Sequence, residues 1–467
     1  MKIAIVGGGW AGMAAAVELA GAHHDITVFE ATRTLGGRAR ALDVELPDGT
    51  PITLDNGQHL LIGAYTETLA LMQRVGMPPA QSLLRLPLSL AFSDGSGLQT
   101  PSWAAGWPAP LDAVAAIATA TGWSWRERLA LVRTSLAWQR AGFVCAPQLS
   151  VAALCAGLPQ RVRDELIEPL CVSALNTAMA DASAQVFLRV WQDALLGQGF
   201  EAFSASSMLL PHTDLSALFP EAAARWLLAH HEAHARLLLG TRIQGLHNDG
   251  TRWRLHGEGI GEEGGDISQP YDQVIWATAA SPAALVAQAA AADPRTQAAH
   301  GPELADWAAA AAALDFTAIT TVYAWGNGAH LRSPMLALRP WPDAQRAPAQ
   351  FAFDRGQLKP NDAAMQGVLA FVVSNSSGER GDLQARVLQQ AAEQLDLHRL
   401  QALQTVVEKR ATFACTPGLQ RPPMAMAPGL WAAGDYLQGP YPATLESAVR
   451  SGRAAAQRVQ QHAPGTR

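Results

Sequence analysis

The chain has 467 residues, 49% of them hydrophobic and 16% charged, with a formal net charge of −6. That length suits two domains, or one domain carrying a large insert. The acidic balance argues against nucleic acid as a partner and against a membrane contact led by a polybasic patch. The four cysteines (145, 155, 171 and 415) show neither C-x-x-C nor metal-ligand spacing. No metal site is expected, and free buried thiols in a reducing cytosol are the simplest reading.

In chain order, the first element is a strand, Lys2–Val6. A glycine turn, a helical run and a second strand, Asp25–Phe29, follow. Gly7, Gly9 and Gly12 carry the G-x-G-x-x-G spacing. Gly7 allows the tight turn, Gly9 lets backbone approach a pyrophosphate, and Gly12 lets helix and strand pack closely. The helix that follows points free N–H groups and partial positive charge at that pyrophosphate. Glu30, followed by Ala31, ends the second strand where a carboxylate can accept from ribose hydroxyls. Because the first strand starts at residue 2, no signal peptide fits.

Leu88–Phe92 and Leu98–Thr100 read as strands around the turn Asp94–Gly97. Residues 111–229 read as mostly helical. Trp125–Ala141 carries an apolar stripe at Leu129, Val132, Leu136 and Ala137, and Pro220 sits in the first turn of a further helix. Strands are expected at 237–239, 242–247, 252–256 and 274–276, helix at 281–313, and strands of a second sheet at 319–325, 350–353 and 367–373. A helix at 380–395 and a strand at 405–413 leading back toward the nucleotide domain complete the pattern. Val274–Ala292 is the most apolar long stretch, but Ser281-Pro282 makes it a strand, a turn and an Ala-rich helix rather than a membrane span.

Two further segments separate FAD from NAD. Gly36-Gly37-Arg38 closely follows Glu30, and Asp55-Asn56-Gly57-Gln58-His59 comes next. At the other end lie Gly434-Asp435-Tyr436 and a helix opening at Thr444-Leu445-Glu446. This arrangement resembles the flavin-containing amine oxidase and carotenoid desaturase superfamily. The resemblance implies FAD held by Gly7, Gly9, Gly12, Glu30, Ala31, Gly36, Gly37, Arg38, Gly57, Gln58, Ile243, Thr278, Gly434, Asp435, Thr444 and Leu445. Arg38 is expected on the pyrophosphate, Gly57 and Gln58 near the isoalloxazine, and Ile243 on the adenine side. The last helix would aim its dipole at the pyrimidine edge of the flavin. The fold class expected is α/β: a discontinuous Rossmann-like FAD-binding domain (1–85, 236–280 and 405–467) and an α+β substrate-binding domain with a helical insert (86–235 and 281–404).

Amine oxidases of the superfamily place an aromatic residue where this chain has Thr444, and neither Lys359 nor Lys409 matches their flavin-side lysine. The chain is more similar to the hydroxysqualene dehydroxylase branch, through Leu54–Tyr65, Glu168–Thr177 and Tyr441–Glu446. That resemblance implies reductive loss of the hydroxyl from hydroxysqualene, with reduced flavin supplying a hydride. A carotenoid-type desaturase or isomerase and a flavin amine oxidase are the rival readings. The candidate catalytic residues each carry two readings. His59 is either the general acid or a histidine fixed to the backbone. Tyr441 either lines the flavin face or caps the helix entrance. Asn176 either holds the substrate hydroxyl or ends a helix in αL conformation. Trp103, Trp107, Trp123, Trp125, Trp138 and Trp191 either line a prenyl tunnel or form core. The expected partners are a C30 isoprenoid substrate, an unidentified reductant and membrane lipid. Lipid would be touched peripherally at the inner face from the cytoplasm, with Trp103–Leu111 as the candidate lip.

Overall fold

A computed structural model describes residues 1–22, 24–259, 269–340 and 343–462. Residues 463–467, the end of the expected FAD-binding segment, lie outside it. Lys2–Val6 is an almost unbroken apolar run, and Ile3, Ala4 and Ile5 are fully buried. A strand buried on both faces belongs inside a parallel sheet. It is the third strand of six, in the order Ala235–Leu238, Asp25–Phe29, Lys2–Val6, Gln273–Trp276, Leu430–Ala432 and Ala425–Ala427. All neighbours are parallel except the last pair. Distant stretches of chain therefore build one layer.

The helix Trp10–Ala20 is Ala-rich and buried on nearly every side. Small residues let it approach its neighbours. A Cβ on Gly452 of the last helix, Leu445–Gln461, would lie 2.0 Å from the Ala11 carbonyl oxygen.

A second sheet is antiparallel throughout, in the order Met335–Ala337, Phe351–Asp354, Val368–Ser376, Phe316–Trp325, Gln401–Phe413. The helix Arg380–Leu395 covers one face, packing Leu383, Val387 and Ala391 on Val322, Phe371 and Val373. Side chains alternate along a strand, so Thr321 and Tyr323 point the other way, toward residues 55–57.

Two sequence expectations change and one feature is new. The strand expected at 405–413 spans Gln401–Phe413 and pairs with Phe316–Trp325. It is an edge of the second sheet, so a nucleotide-domain segment starting at 405 cuts through a strand that belongs elsewhere. Met208–Pro211, inside the stretch read as helical, is a strand between Leu61–Ile62 and Leu83–Leu86. Ala41–Glu45 and Pro51–Asp55 form an antiparallel pair that the sequence did not announce. In both cases cross-strand pairing, invisible in local periodicity, decides the conformation.

The helices of the insert include Leu111–Thr119, Trp125–Arg140, a run over residues 160–175 with a π turn at Arg163–Ile167, Ala184–Leu196 and Pro220–His231. The six tryptophans divide. Trp123, Trp138 and Trp191 are buried, with Trp138 and Trp191 packed edge to face at 5.4 Å beside Phe187. Trp103, Trp107 and Trp125 are exposed. All four cysteines are free thiols. Among the described residues no helix is long and apolar enough to cross a membrane, and no acidic, His or Cys cluster is placed to hold a metal.

Candidate active site

The glycine loop is built by close backbone approach. A Cβ on Gly12 would lie 1.9 Å from the Gly7 carbonyl oxygen, and one on Gly7, whose φ is +116°, would lie 2.6 Å from that of Ala277. Gly9 differs. Its Cβ would meet nothing nearer than Gly37 Cα at 3.8 Å. A trough lined by bare backbone therefore runs between Gly9 and the Gly36-Gly37 turn, where the Gly36 N–H donates to the Gly8 carbonyl at 3.0 Å. Such a trough at a helix N-terminus fits a pyrophosphate.

Glu30 is buried at the tip of the second strand. One carboxylate oxygen accepts from the Gly8 N–H at 2.8 Å. The other accepts from the Thr32 N–H and hydroxyl at 2.8 and 2.9 Å. An ionised carboxylate has about four acceptor sites, so Glu30 shapes the glycine loop and still has capacity for a ribose. Ala31 is half-buried beside it. Thr241 N–H donates to the Glu30 carbonyl, which brings the strand Thr241–Asn248, with buried Ile243, alongside. Thr278 accepts from the Trp276 indole N–H at 2.9 Å, just past the Gly7 contact. Glu30→Ala should weaken FAD binding by about 1–3 kcal/mol, the scale of a charged hydrogen bond. Equilibrium titration of apoprotein checks this, and unchanged affinity would mean Glu30 serves the loop alone.

Arg38 and Asp435, from opposite ends of the chain, meet at 2.5 Å. Arg38 also donates to the Ala411 carbonyl. The structure gives this guanidinium a carboxylate partner, whereas the sequence expectation was a pyrophosphate contact. Its visible work is to clamp the Gly-Gly-Arg turn to the Gly434-Asp435 turn. Gly434 N–H donates to Ser451 Oγ on the last helix at 2.8 Å. Thr444 caps that helix in a reciprocal box with Ser447, both bonds 3.1 Å, so Leu445 is its first residue. Glu446 is buried and reaches back to the helix Thr66–Arg74. It accepts from the backbone N–H groups of Glu67 and Thr68 and from the Thr68 hydroxyl. That helix has no side-chain cap of its own, so a residue distant in sequence closes its N-terminus.

Between these clamps lies the segment Asp55–His59. Gly57 has φ +119°, and a Cβ there would sit 3.7 Å from the His59 ring and 3.8 Å from the Thr321 hydroxyl. The Thr321 and Tyr436 hydroxyls are buried and have no hydrogen-bond partner among the described residues. Tyr436 lies within electrostatic reach of Arg38 and Asp435. Orphaned donors beside a backbone trough are what a polar-edged cofactor and its reactant would satisfy.

The three expected catalytic residues fare differently. His59 Nδ1 lies 2.8 Å from the Gly57 carbonyl, which can only accept, so Nδ1 carries the proton. Burial, with Arg38 adding to it, pushes the imidazole below its ordinary range, so it is neutral near pH 7. Nε2 is then an acceptor, and the general-acid role becomes a hydrogen-bond-accepting one. Asn176 ends its helix with φ +49°. Its amide donates to Thr317 Oγ1 and Thr412 Oγ1 at 2.8 and 3.0 Å, and its oxygen accepts from Asn375 N–H. It pins the insert to the second sheet and is 2% exposed, which matches the reading of a helix-ending Asn in αL conformation. Tyr441 accepts from Arg189 at 2.7 Å, with the Arg189 and Arg450 guanidinium groups 4.7 and 5.3 Å from its ring centroid. Two cations therefore already lie against this ring.

Arg355 was missed. It is fully buried, 3.5 Å from Asp55, and donates to Gln58 Oε1 at 2.9 Å. Gln58 in turn donates to the His59 carbonyl. Asp55 also accepts from Leu215 N–H at 2.7 Å. Burial pushes the Asp55 carboxyl up to about 6, against the downward pull of Arg355. Nothing near residue 355 in the sequence signals this pairing.

Residues 10–460 match the family described as flavin containing amine oxidoreductase. The chain belongs to this family. It is an FAD-dependent oxidoreductase of the α/β class with a parallel nucleotide sheet. A hydroxysqualene dehydroxylase from Rhodopseudomonas palustris is 26% identical over 492 aligned positions, covering 97% of each protein. A carotenoid phi-ring synthase from Streptomyces griseus is 41% identical and a zeta-carotene desaturase from Synechocystis 40% identical. Those matches span only 18% and 16% of the relatives and 21% and 18% of this flavoprotein. Among solved structures, an oxidoreductase from Methanosarcina mazei superposes with a TM-score of 0.68 at 13% identity, covering 99% of this chain and 100% of that one. Cyclohexylamine oxidase from Brevibacterium oxydans superposes with 0.65 at 14%, covering 98% of each. At such identities these structures report the shared fold.

Proposed function

We propose that this flavoprotein removes the hydroxyl of a C30 allylic alcohol of the hydroxysqualene type, giving squalene. The observation that carries the reading is the match to a hydroxysqualene dehydroxylase along 97% of both chains. The more identical carotenoid relatives match only short segments. The site supports it chemically. Thr444 is spent on a helix cap, and Tyr441 is held by Arg189 under two guanidinium groups, so an aromatic cage for a protonated amine has no place there.

FAD, when bound and reduced, supplies a hydride. The chain's own residues prepare the substrate. The C–O bond breaks, the oxygen takes up one proton supplied by bulk water and leaves as water, and the allylic cation would gain the hydride to form a C–H bond. His59 Nε2 accepts from the substrate O–H and orients it. The buried Thr321 hydroxyl, on the Gly57 side of the His59 ring, is a donor available to the departing oxygen. The buried Leu54 and Leu61 at the ends of the segment 54–61 and the apolar insert exclude water from the cation. A separate reductant reloads the flavin for each turnover.

The test is an anaerobic single turnover. Photoreduced holoenzyme mixed with hydroxysqualene should form one squalene per flavin as the oxidised absorbance returns. Flavin that stays reduced, with no squalene, defeats the proposal. Dehydrogenation of a carotene by the oxidised holoenzyme would install the desaturase reading instead.

A further inference from the structure

We propose that the exposed apolar face of residues 103–144 is a docking surface for a bilayer containing anionic lipid, through which the enzyme reaches its oily substrate. This rests on the C30 reading above. Of the eleven large apolar side chains exposed among the described residues, eight lie between Trp103 and Val144, so the exposure is concentrated rather than scattered.

The face is continuous along the chain. Trp103 and Trp107 pack edge to face at 5.1 Å. Leu111 and Val114 are both about half exposed and lie one turn apart on the next helix, with Ala118 on the same side. Arg128 donates to the carbonyls of Ala118 and Ala120 and lies 4.8 Å from the Trp125 ring centroid, joining that helix to Trp125–Arg140. On the second helix Trp125, Leu129 and Leu136 are exposed, Trp125 by 75%. At about 100° per residue they fall within roughly 40° of arc, opposite the buried Leu131 and Trp138. This stripe is therefore turned away from the core.

Charge selects the occupant. The segment holds four arginines (126, 128, 133 and 140) against Asp112 and Glu127, a local excess of +2 on a chain of net −6. Asp112 is buried, accepting from Ser204 and Ser206, and Glu127 is engaged in the capping box of Ser124. Arg126, Arg133 and Arg140 are exposed beside the apolar stripe. Tryptophan and leucine flanked by arginine suit the headgroup boundary of an anionic leaflet. The contact is monotopic, since no described helix is long and apolar enough to span a bilayer.

Flotation of holoenzyme with phosphatidylcholine vesicles containing roughly 30% phosphatidylglycerol tests this, beside vesicles of phosphatidylcholine alone. Wild type should float with the anionic vesicles and less with the neutral ones, and added salt should weaken binding. The L129D/L136D variant should lose about tenfold or more in partitioning while keeping its flavin absorbance. Wild type that stays in the buffer, or a variant that floats equally, overturns the proposal. So does a lipid-free dimer that L129D/L136D dissociates, which would make the face a contact between copies. Turnover of detergent-dispersed hydroxysqualene is read separately. Turnover without vesicle binding removes the surface and keeps the reaction. Vesicle binding without turnover does the reverse.

Discussion

Gly9→Val should give a folded but colourless protein, whereas Gly12→Ala should fail to fold stably. Both residues belong to one motif, yet the structure separates their roles. A methyl group at Gly12 meets the Gly7 carbonyl oxygen at 1.9 Å, backbone against backbone, with no flexible side chain to yield. Overpacking of this kind costs about 3 kcal/mol or more, at the junction of the central strand with its helix. At Gly9 the nearest atom to an added Cβ is 3.8 Å away, an ordinary van der Waals contact, so the backbone accepts a first side-chain carbon there. What valine fills is the trough toward Gly37 that a pyrophosphate needs. Flavin absorbance with thermal unfolding checks both variants. A yellow Gly9→Val protein with normal affinity would remove the pyrophosphate from this loop.

Arg355→Met should cost about 3–5 kcal/mol at neutral pH, the usual consequence of leaving one member of a buried ion pair alone. The size of the loss should depend on pH, because Asp55 is already pushed up to about 6 with its partner present. Without the guanidinium the folded protein would hold that proton to higher pH still. A carboxyl whose folded value is raised contributes stability while protonated, and that contribution is lost as pH rises from the unfolded value near 3.8 through the folded one. The deficit of Arg355→Met against wild type should therefore widen by roughly 2 kcal/mol between pH 5 and pH 8. Adding Asp55→Asn should flatten that dependence. Urea unfolding at the two pH values gives the comparison. An equal deficit at both would show that Asp55 does not respond to Arg355. Because Arg355 also holds Gln58, the variant should bind FAD more weakly as well.

These two sites show where local sequence suffices and where it does not. The dinucleotide turn was legible because every requirement is short-range: apolar strand, glycines at fixed offsets, helix, second strand, acid. The helices Trp125–Arg140, Ala184–Leu196 and Arg380–Leu395 were legible within a residue or two, the first from its apolar stripe. The site around residues 55–59 was legible only as a motif. Its polar chemistry depends on Thr321, Tyr323, Arg355 and Leu215, which arrive from three other stretches of chain. His59 shows the same limit. Its residue type permits acid or acceptor, and the Gly57 carbonyl beside Nδ1 chooses the acceptor.

Sequence alone therefore determined the cofactor, the α/β class and most helices, since each rests on spacing within one or two elements. Tertiary structure alone decided which side chains are already spent. Asn176 and Tyr441 are tied to neighbouring elements, Arg355 is the buried partner of Asp55 and Gln58, and the strand at 401–413 joins the second sheet. The physical reason is that a hydrogen-bonding group has few bonds to give, and only the folded arrangement shows who has taken them.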